Sequence, residues 1–361
     1  MIPAAKPIIG DEEREAVDRV LRSGMIAGGP EVLAFENEFS AYVGGRHCVA
    51  MNSGTSALHL ALIAMGIGAG DEVIVPSFSF AATANAVALT GATPVFADID
   101  RATFNLDPEA TRAAITPRTK AIMPVHLYGQ MAAMDEFESL AQEHGLQIIE
   151  DSAQSHLASL NGRNAGEWGT TACFSFYPTK NMTSGEGGMV VTPDEKIARM
   201  LRLLRNQGME QRYKNEVVGF NTRMTDIHAA IGRVQLRKLP AWTAQRQENA
   251  AFLDANISGV VVPPVAPGAT HVYHQYTIRV PVETGEQRDA FMAALAEKGV
   301  GSGVYYPTPI HRLPSFQLSL DLPETEIAAR QVLSLPIHPA LSAEDLKQVA
   351  QAVTATANEL L

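Results

Sequence analysis

Apolar residues recur along this chain with two periods. Over residues 10–22, Ala16, Val17, Val20 and Leu21 share one side of a predicted helix and charges share the other. Ser23-Gly24 stops that helix, and Gly28-Gly29-Pro30 makes a turn. Val32, Phe35 and Phe39 then return at helical spacing over 31–42. Short apolar runs alternate with helical stretches from there: strand 47–51, helix 56–65, strand 72–76, helix 81–90, strands 94–98 and 121–125, helix 134–144, strands 147–150 and 172–176, and the run Met189-Val190-Val191. Strands separated by helices of about ten residues predict an α/β layered domain with a mainly parallel central sheet flanked by helices. The pattern changes near residue 196. Two long helical stretches follow, 196–206 and 226–252, the second expected to break near Pro240. Beyond 253 a strand at 274–280 and helices at 287–298 and 343–360 predict a smaller α+β domain. The expected division is 1–240 for the large domain and 241–361 for the small one, with no repeat or low-complexity linker between them.

A chain of 361 residues suits two such units. The formal net charge of −11, without any lysine-arginine block, argues against a nucleic-acid partner, because a phosphate backbone needs a basic face. A small anionic ligand needs only a few local donors and stays open. Cys48 and Cys173 are too few for a disulfide framework or a zinc site, so no metal is expected and both read as small buried filler. The first residues, MIPAAKPIIGDEEREAV, carry no apolar signal core, and no segment approaches the length of a membrane span. A cytoplasmic location is the expectation.

In parallel sheets ligands gather outside the carboxyl ends of the strands, so the turns there carry the candidate chemistry. Asn52-Ser53-Gly54-Thr55 joins a strand to a helix; it reads either as a phosphate seat or as an N-cap by Ser53 or Thr55. No G-x-G-x-x-G supports a dinucleotide site. Phe78 and Phe80 follow the next strand, as core residues or as a platform for a planar ring. Asp151 ends another strand, as a helix cap or as a ligand group. In FSFYPTKNMTSGEGG (174–188), Lys180 lies between a buried strand and a glycine-rich turn. It is an ordinary loop lysine unless it is sheltered, in which case desolvation favours the neutral amine that Schiff-base chemistry requires. A phosphate seat, an aromatic platform, an aspartate and a sheltered lysine together match the needs of pyridoxal phosphate. Glu186 reads as a loop stabiliser, His126 and His228 as structural histidines, and Arg199, Arg202 and Arg205 as a solvated or dimer-facing stripe.

Several long motifs, in order along essentially the whole chain, resemble the DegT/DnrJ/EryC1/StrS sugar aminotransferases of fold type I. They are SGMIAGGPEVLAFENEF (23–39), NSGTSAL (52–58), VPSFSFAATANAV (75–87), VHLYGQ (125–130), EDSAQ (150–154), FSFYPTKNMTSGEGG (174–188), GFNTRMTDIHAAIG (219–232) and YYPTPIH (305–311). The resemblance implies that Lys180 forms the Schiff base and carries the proton of the 1,3-shift. It implies that Asp151 keeps the pyridine nitrogen protonated, that Phe80 stacks on the ring and that Gln154 meets the opposite face. Gly54, Thr55 and Ser175 would hold the phosphate, and Asn221 would reach the neighbouring subunit's phosphate in a homodimer with shared sites. His311, Tyr306 and Arg223 are candidate substrate contacts, with a histidine on a surface turn as the alternative for His311 and a packing role as the alternative for Tyr306. The implied reaction is ping-pong transfer of an amino group from L-glutamate to a 3- or 4-keto-sugar nucleotide, and the segments TKNMTSGEGGM, AAIGRVQLRKL and HVYHQYTIRV look closest to the perosamine-synthase-like branch. A lysine rather than a histidine at 180 sets the chain apart from the related sugar dehydratases. A dehydratase, an aminotransferase of a cyclitol or other non-nucleotide ketone, and a non-catalytic cofactor-binding module are the rival readings.

Overall fold

A computed structural model describes residues 1–361. In chain order the strands are β1 (His47–Met51), β2 (Glu72–Pro76), β3 (Thr93–Ala97), β4 (Thr119–Ile122), β5 (Gln147–Asp151), the short β6 (Ser159–Leu160) and β7 (Arg163–Asn164), β8 (Thr171–Ser175), β9 (Gly188–Thr192), the short β10 (Met209–Gln211), β11 (Lys214–Asn215) and β12 (Ala269–Thr270), then β13 (Tyr276–Arg279) and β14 (Val332–Leu335). The helices are α1 (Asp11–Ser23), α2 (Pro30–Ser40), α3 (Gly54–Ala64), α4 (Ala82–Leu89), α5 (Pro108–Ala113), α6 (Met134–His144), α7 (Glu195–Arg205), α8 (Asp226–Asn256), α9 (Gly285–Glu297), α10 (Pro323–Gln331) and α11 (Ala343–Leu360).

One seven-stranded sheet, in the order β1-β9-β8-β5-β4-β2-β3, forms the centre. Only β9 runs against its neighbours; the other six point one way. The carboxyl ends of β1, β2, β4, β5 and β8 therefore share one edge with the start of β9. Both faces of the sheet are covered, which is why its strands read as unbroken apolar runs. Alternate residues serve opposite cores, as the two-residue period of a strand requires. Ile74, Ile148, Phe174 and Met189 pack with Phe35, Phe39 and Phe137. Val73, Val75, Ile149, Cys173 and Val190 pack with Leu58, Leu60 and Leu62 of α3 and Leu201 and Leu204 of α7. Both cysteines are free and buried.

A third core joins β13 and β14 to α9, α11 and the far half of α8. Here the structure differs from the pattern in the sequence. Helix α8 runs 31 residues without a break at Pro240. Its Leu236 and Leu239 belong to a sheet core, whereas Ala250 and Leu253 belong to the C-terminal core. Packing on both sides of Pro240 outweighs the one backbone hydrogen bond that the proline forfeits, and Pro240 itself faces solvent. The expected boundary at 240 thus falls inside a helix. At the other end of the sequence, Ile2 pairs with Val300 and sits in the C-terminal core. No helix is long and apolar enough to cross a membrane, and no cluster of three or more His, Cys, Asp or Glu is placed to hold a metal.

Candidate active site

The turn between β1 and α3 caps the helix and leaves two amides at its mouth. Ser53 Oγ accepts the Ser56 amide at 3.1 Å, and the Ser53 carbonyl accepts the Ala57 amide at 3.1 Å. The amides of Gly54 and Thr55 remain at the mouth of the helix, where the dipole favours negative charge. The cap of the turn leaves these amides free for an anion. Neighbouring strands close around it: a Cβ on Gly54 would lie 2.8 Å from Ser175 Cβ, and one on Gly188 would lie 2.3 Å from the Ser53 carbonyl. Glycine at both places brings the Ser175 hydroxyl beside the free amides. That cradle has the donors a phosphate needs.

Asp151 ends β5 only 4% exposed. Its Oδ2 accepts from Thr83 Oγ1 at 2.8 Å and its Oδ1 from the Ala153 amide at 3.2 Å; Thr83 Oγ1 in turn lies 2.9 Å from Ser79 Oγ. Burial pushes this carboxyl up, against the Thr83 and Ala153 hydrogen bonds and the charge of Lys180. Lys180 follows β8. Its side chain is half-buried and its amine is the enclosed end, so desolvation brings it down to about 8, with the Asp151 charge opposing the fall. Glu150, the residue before Asp151, points to the other face of the sheet. It accepts the amides of Gly166 (2.9 Å), Trp168 (2.9 Å) and Gly169 (2.7 Å) and lies 3.1 Å from His126 Nε2. His126 is thereby the structural histidine expected.

The aromatic pair after β2 divides its roles. Phe78 is buried against Phe104, whereas Phe80 is 60% exposed, its ring centroid 6.1 Å from that of Tyr306. Gln154 Oε1 accepts the Tyr128 amide at 2.7 Å, and Gln154 Nε2 donates to the Tyr306 hydroxyl at 3.2 Å. Tyr306 is thus brought to the same place as Phe80 and Gln154. His311 is not: its ring is completely buried, with Nδ1 2.6 Å from Ser77 Oγ and Nε2 3.2 Å from Glu326 Oε1. Folding of 307–313 over β2 turns this histidine inward, so it is corrected from a direct substrate contact to a packing residue. Arg223 Nη1 donates to Asn206 Oδ1 at 2.9 Å, and Asn221 is exposed beside it. The Thr222 carbonyl accepts the Asn52 amide at 2.8 Å, so this segment lies against the Asn52–Thr55 turn of the same chain.

Sequence reasoning passed over Thr83, which sits in the first turn of α4 and orients Asp151. Its one signal was the spacing of three residues after Phe80 within VPSFSFAATANAV. His156 was also passed over: it is buried between Phe174 and Phe176 and held neutral by burial, down to about 3.

The DegT/DnrJ/EryC1/StrS aminotransferase family model matches residues 7–354. The dTDP-3-amino-3,4,6-trideoxy-alpha-D-glucose transaminase of Streptomyces venezuelae is 43% identical over 360 residues, covering 98% of this chain and 94% of that protein. GDP-perosamine synthase of Caulobacter vibrioides is 42% identical over 361 residues, covering 98% of this chain and 97% of that one. A crystal structure of S. venezuelae DesV with a ketimine intermediate superposes with a TM-score of 0.92 at 44% identity, covering 96% and 94% of the two chains. With its one reversed strand, its lysine after β8 and its aspartate ending β5, the chain belongs to the DegT/DnrJ/EryC1/StrS aminotransferase family.

Proposed function

We propose that this protein transfers an amino group from L-glutamate to a keto-sugar nucleotide with pyridoxal phosphate as cofactor. One observation carries the proposal: an enclosed amine, Lys180, and a buried carboxylate, Asp151, couple at one sheet edge beside a helix mouth with free amides. The residues fit the cofactor. Gly54, Thr55 and Ser175 would hold its phosphate, Phe80 its ring face, Asp151 its pyridine nitrogen and Lys180 its aldehyde carbon. Bound there, pyridoxal phosphate supplies an electron sink for the carbon that gains or loses the amino group.

The protein's own groups do the rest. Lys180 Nζ, which burial leaves partly neutral near pH 8, takes and returns the proton in each half-reaction. Asp151 is held by Thr83 and Ala153 and keeps negative charge where a cationic ring nitrogen needs it. Gln154 and Tyr306, hydrogen-bonded to each other, close one side of the site, and Arg223 stands near the phosphate turn as a donor to an anionic substrate. We place the working site in a homodimer. Asn221 is exposed amid a surface carrying Met25 (56%), Ile26 (47%), Val218 (91%) and Phe220 (36%), apolar area that a second copy would cover.

The test is a panel of keto-sugar nucleotides incubated with L-glutamate and read by mass spectrometry. An amino-sugar product, lost on Lys180→Ala, is the expected result. A deoxy product would make the protein a dehydratase, and undiminished turnover by Lys180→Ala would overturn the mechanism.

A further inference from the structure

Between residues 303 and 310 the chain crosses beside the candidate site with little of its own to hold it. Gly303 exchanges two backbone hydrogen bonds with Ser334 of β14, at 3.0 and 2.8 Å. The next amide with a partner is that of Ile310, which donates to the Ser77 carbonyl at 2.9 Å. The amides of Val304, Tyr305, Tyr306 and Thr308, between them, make no hydrogen bond. Tyr306 sits in the middle of this span, its ring 6.3 Å from that of Phe78 and 6.1 Å from that of Phe80. A short span with free amides goes where its ends are put, so the far anchor governs where Tyr306 stands.

That anchor is a closed exchange between His311 and Ser77, both fully buried. The His311 amide donates to Ser77 Oγ at 3.1 Å, and Ser77 Oγ lies 2.6 Å from His311 Nδ1. Nδ1 is the one acceptor within reach of the Ser77 hydroxyl, so the hydroxyl donates to it and the ring proton stays on Nε2. Burial holds this imidazole below its ordinary range, with the Arg312 charge adding to the fall and Glu326 opposing it, so Nδ1 is free to accept. Ile310, next to it, is buried in the core of Val73, Val75 and Phe96. Apolar burial is non-directional and fixes no register, whereas the three bonds to Ser77 do. Ser77 also opens the turn 77–80, which carries Phe78 and Phe80. One residue pair thus joins the span bearing Tyr306 to the turn bearing its two aromatic neighbours.

We propose that His311 is a positioning residue for the sugar-nucleotide substrate: through Ser77 it fixes Tyr306 against Phe80 and so shapes the mouth of the site. The inference rests on the transaminase reading above. Phe80 is 60% exposed and marks that mouth. A hexose joined to a nucleoside diphosphate must extend from Lys180 past these rings, whereas L-glutamate is short enough to stop before them. A loosened span therefore penalises the long substrate and spares the amino donor. His311 acts on both through Ser77 and touches neither.

The test compares the cofactor-loaded native protein with Ser77→Ala, His311→Phe, the double variant, and His311→Asn, whose amide oxygen replaces Nδ1 as acceptor. Hydrogen–deuterium exchange of peptides covering 304–313 reads the span, and KM is measured for L-glutamate and for the keto-sugar nucleotide. In Ser77→Ala and His311→Phe the expected result is at least tenfold faster exchange and an at least tenfold higher KM for the sugar nucleotide. KM for L-glutamate should change less than threefold, His311→Asn should return both readings to within threefold of native, and the double variant should be no worse than either single one. Thermal melting checks folding. Where His311→Phe fails to fold, Ser77→Ala, which removes only a hydroxyl, decides the matter. Unchanged sugar-nucleotide KM in the folded variants overturns the proposal. So does an equal loss for L-glutamate, a failure of His311→Asn to rescue, or additive losses in the double variant. If the native protein aminates no sugar nucleotide, the transaminase reading fails by itself, and exchange that stays slow in Ser77→Ala separately overturns the anchoring role of His311.

Discussion

Lys180 and Asp151 act on each other through an enclosed space, and their coupling has a measurable sign. Desolvation lowers the amine to about 8 while the Asp151 charge holds it up. Uptake of pyridoxal phosphate by the cofactor-free protein requires the neutral amine, so its rate should climb as pH rises from about 7 to 9, with a midpoint near 8. Removing the opposing charge in Asp151→Asn should move that midpoint to lower pH. Stopped-flow absorbance across the pH range measures both, and a midpoint that rises in Asp151→Asn would contradict the coupling. Ser175→Ala leaves the amides of Gly54 and Thr55 in place. Losing one hydrogen bond to a charged group should weaken cofactor affinity about tenfold, and equilibrium dialysis measures it. Gly54, Phe80, Asp151 and Lys180 could be picked out in the chain because each ends or follows a strand of the sheet, whereas Gln154, Ser175 and Asn221 entered only through the resemblance. His311 was misread because a histidine in YYPTPIH carries no mark of which way its loop folds, and only the Ser77 and Glu326 contacts reveal it.

At the scale of elements, two helices begin on carboxylates that come from distant parts of the sequence. Asp226 is fully buried and accepts the amides of Gly29 at 2.7 Å, Val32 at 3.3 Å and Glu31 at 3.4 Å, the opening turn of α2. Asp98 does the same for α10, accepting from Thr325 at 2.8 Å and Glu324 at 3.0 Å. Local signals do not contain such caps, and α10 accordingly left no trace in the periodicity while α2 showed only its apolar spacing. Asp226→Ala should cost about 2 kcal/mol, at the upper end for a lost cap because the freed amides are partly buried, whereas Asp226→Asn keeps an acceptor and should cost less. Urea denaturation distinguishes the two. The reversed strand β9 was likewise invisible: its apolar run fits either direction, and only its pairing with β1 and β8 sets it.

For the whole molecule, the exposed apolar residues around Asn221 set the expectation for assembly. Val218→Glu together with Phe220→Glu should convert a dimer to a monomer by sedimentation velocity and reduce turnover with it. A dimer that survives both charges would remove Asn221 from the partner's site. The alternation of strands and helices made the α/β layer readable, and the apolar pattern past 253 made a second core readable. Their junction was not, because the cue at Pro240 is a local one and the packing of Leu236, Leu239, Ala250 and Leu253 is not.

Continuity of α8 also bears on how the protein comes apart. A joint made of loop can be cut, and its halves recovered. Here the only span near residue 240 is helical backbone anchored at both ends, and Ile2 ties the beginning of the chain to the same core as its final helix. Proteases acting on the native enzyme should therefore release no stable fragment ending near 240, and truncation there should yield insoluble chain instead of a working sheet domain. The two cores are expected to stay together in solution.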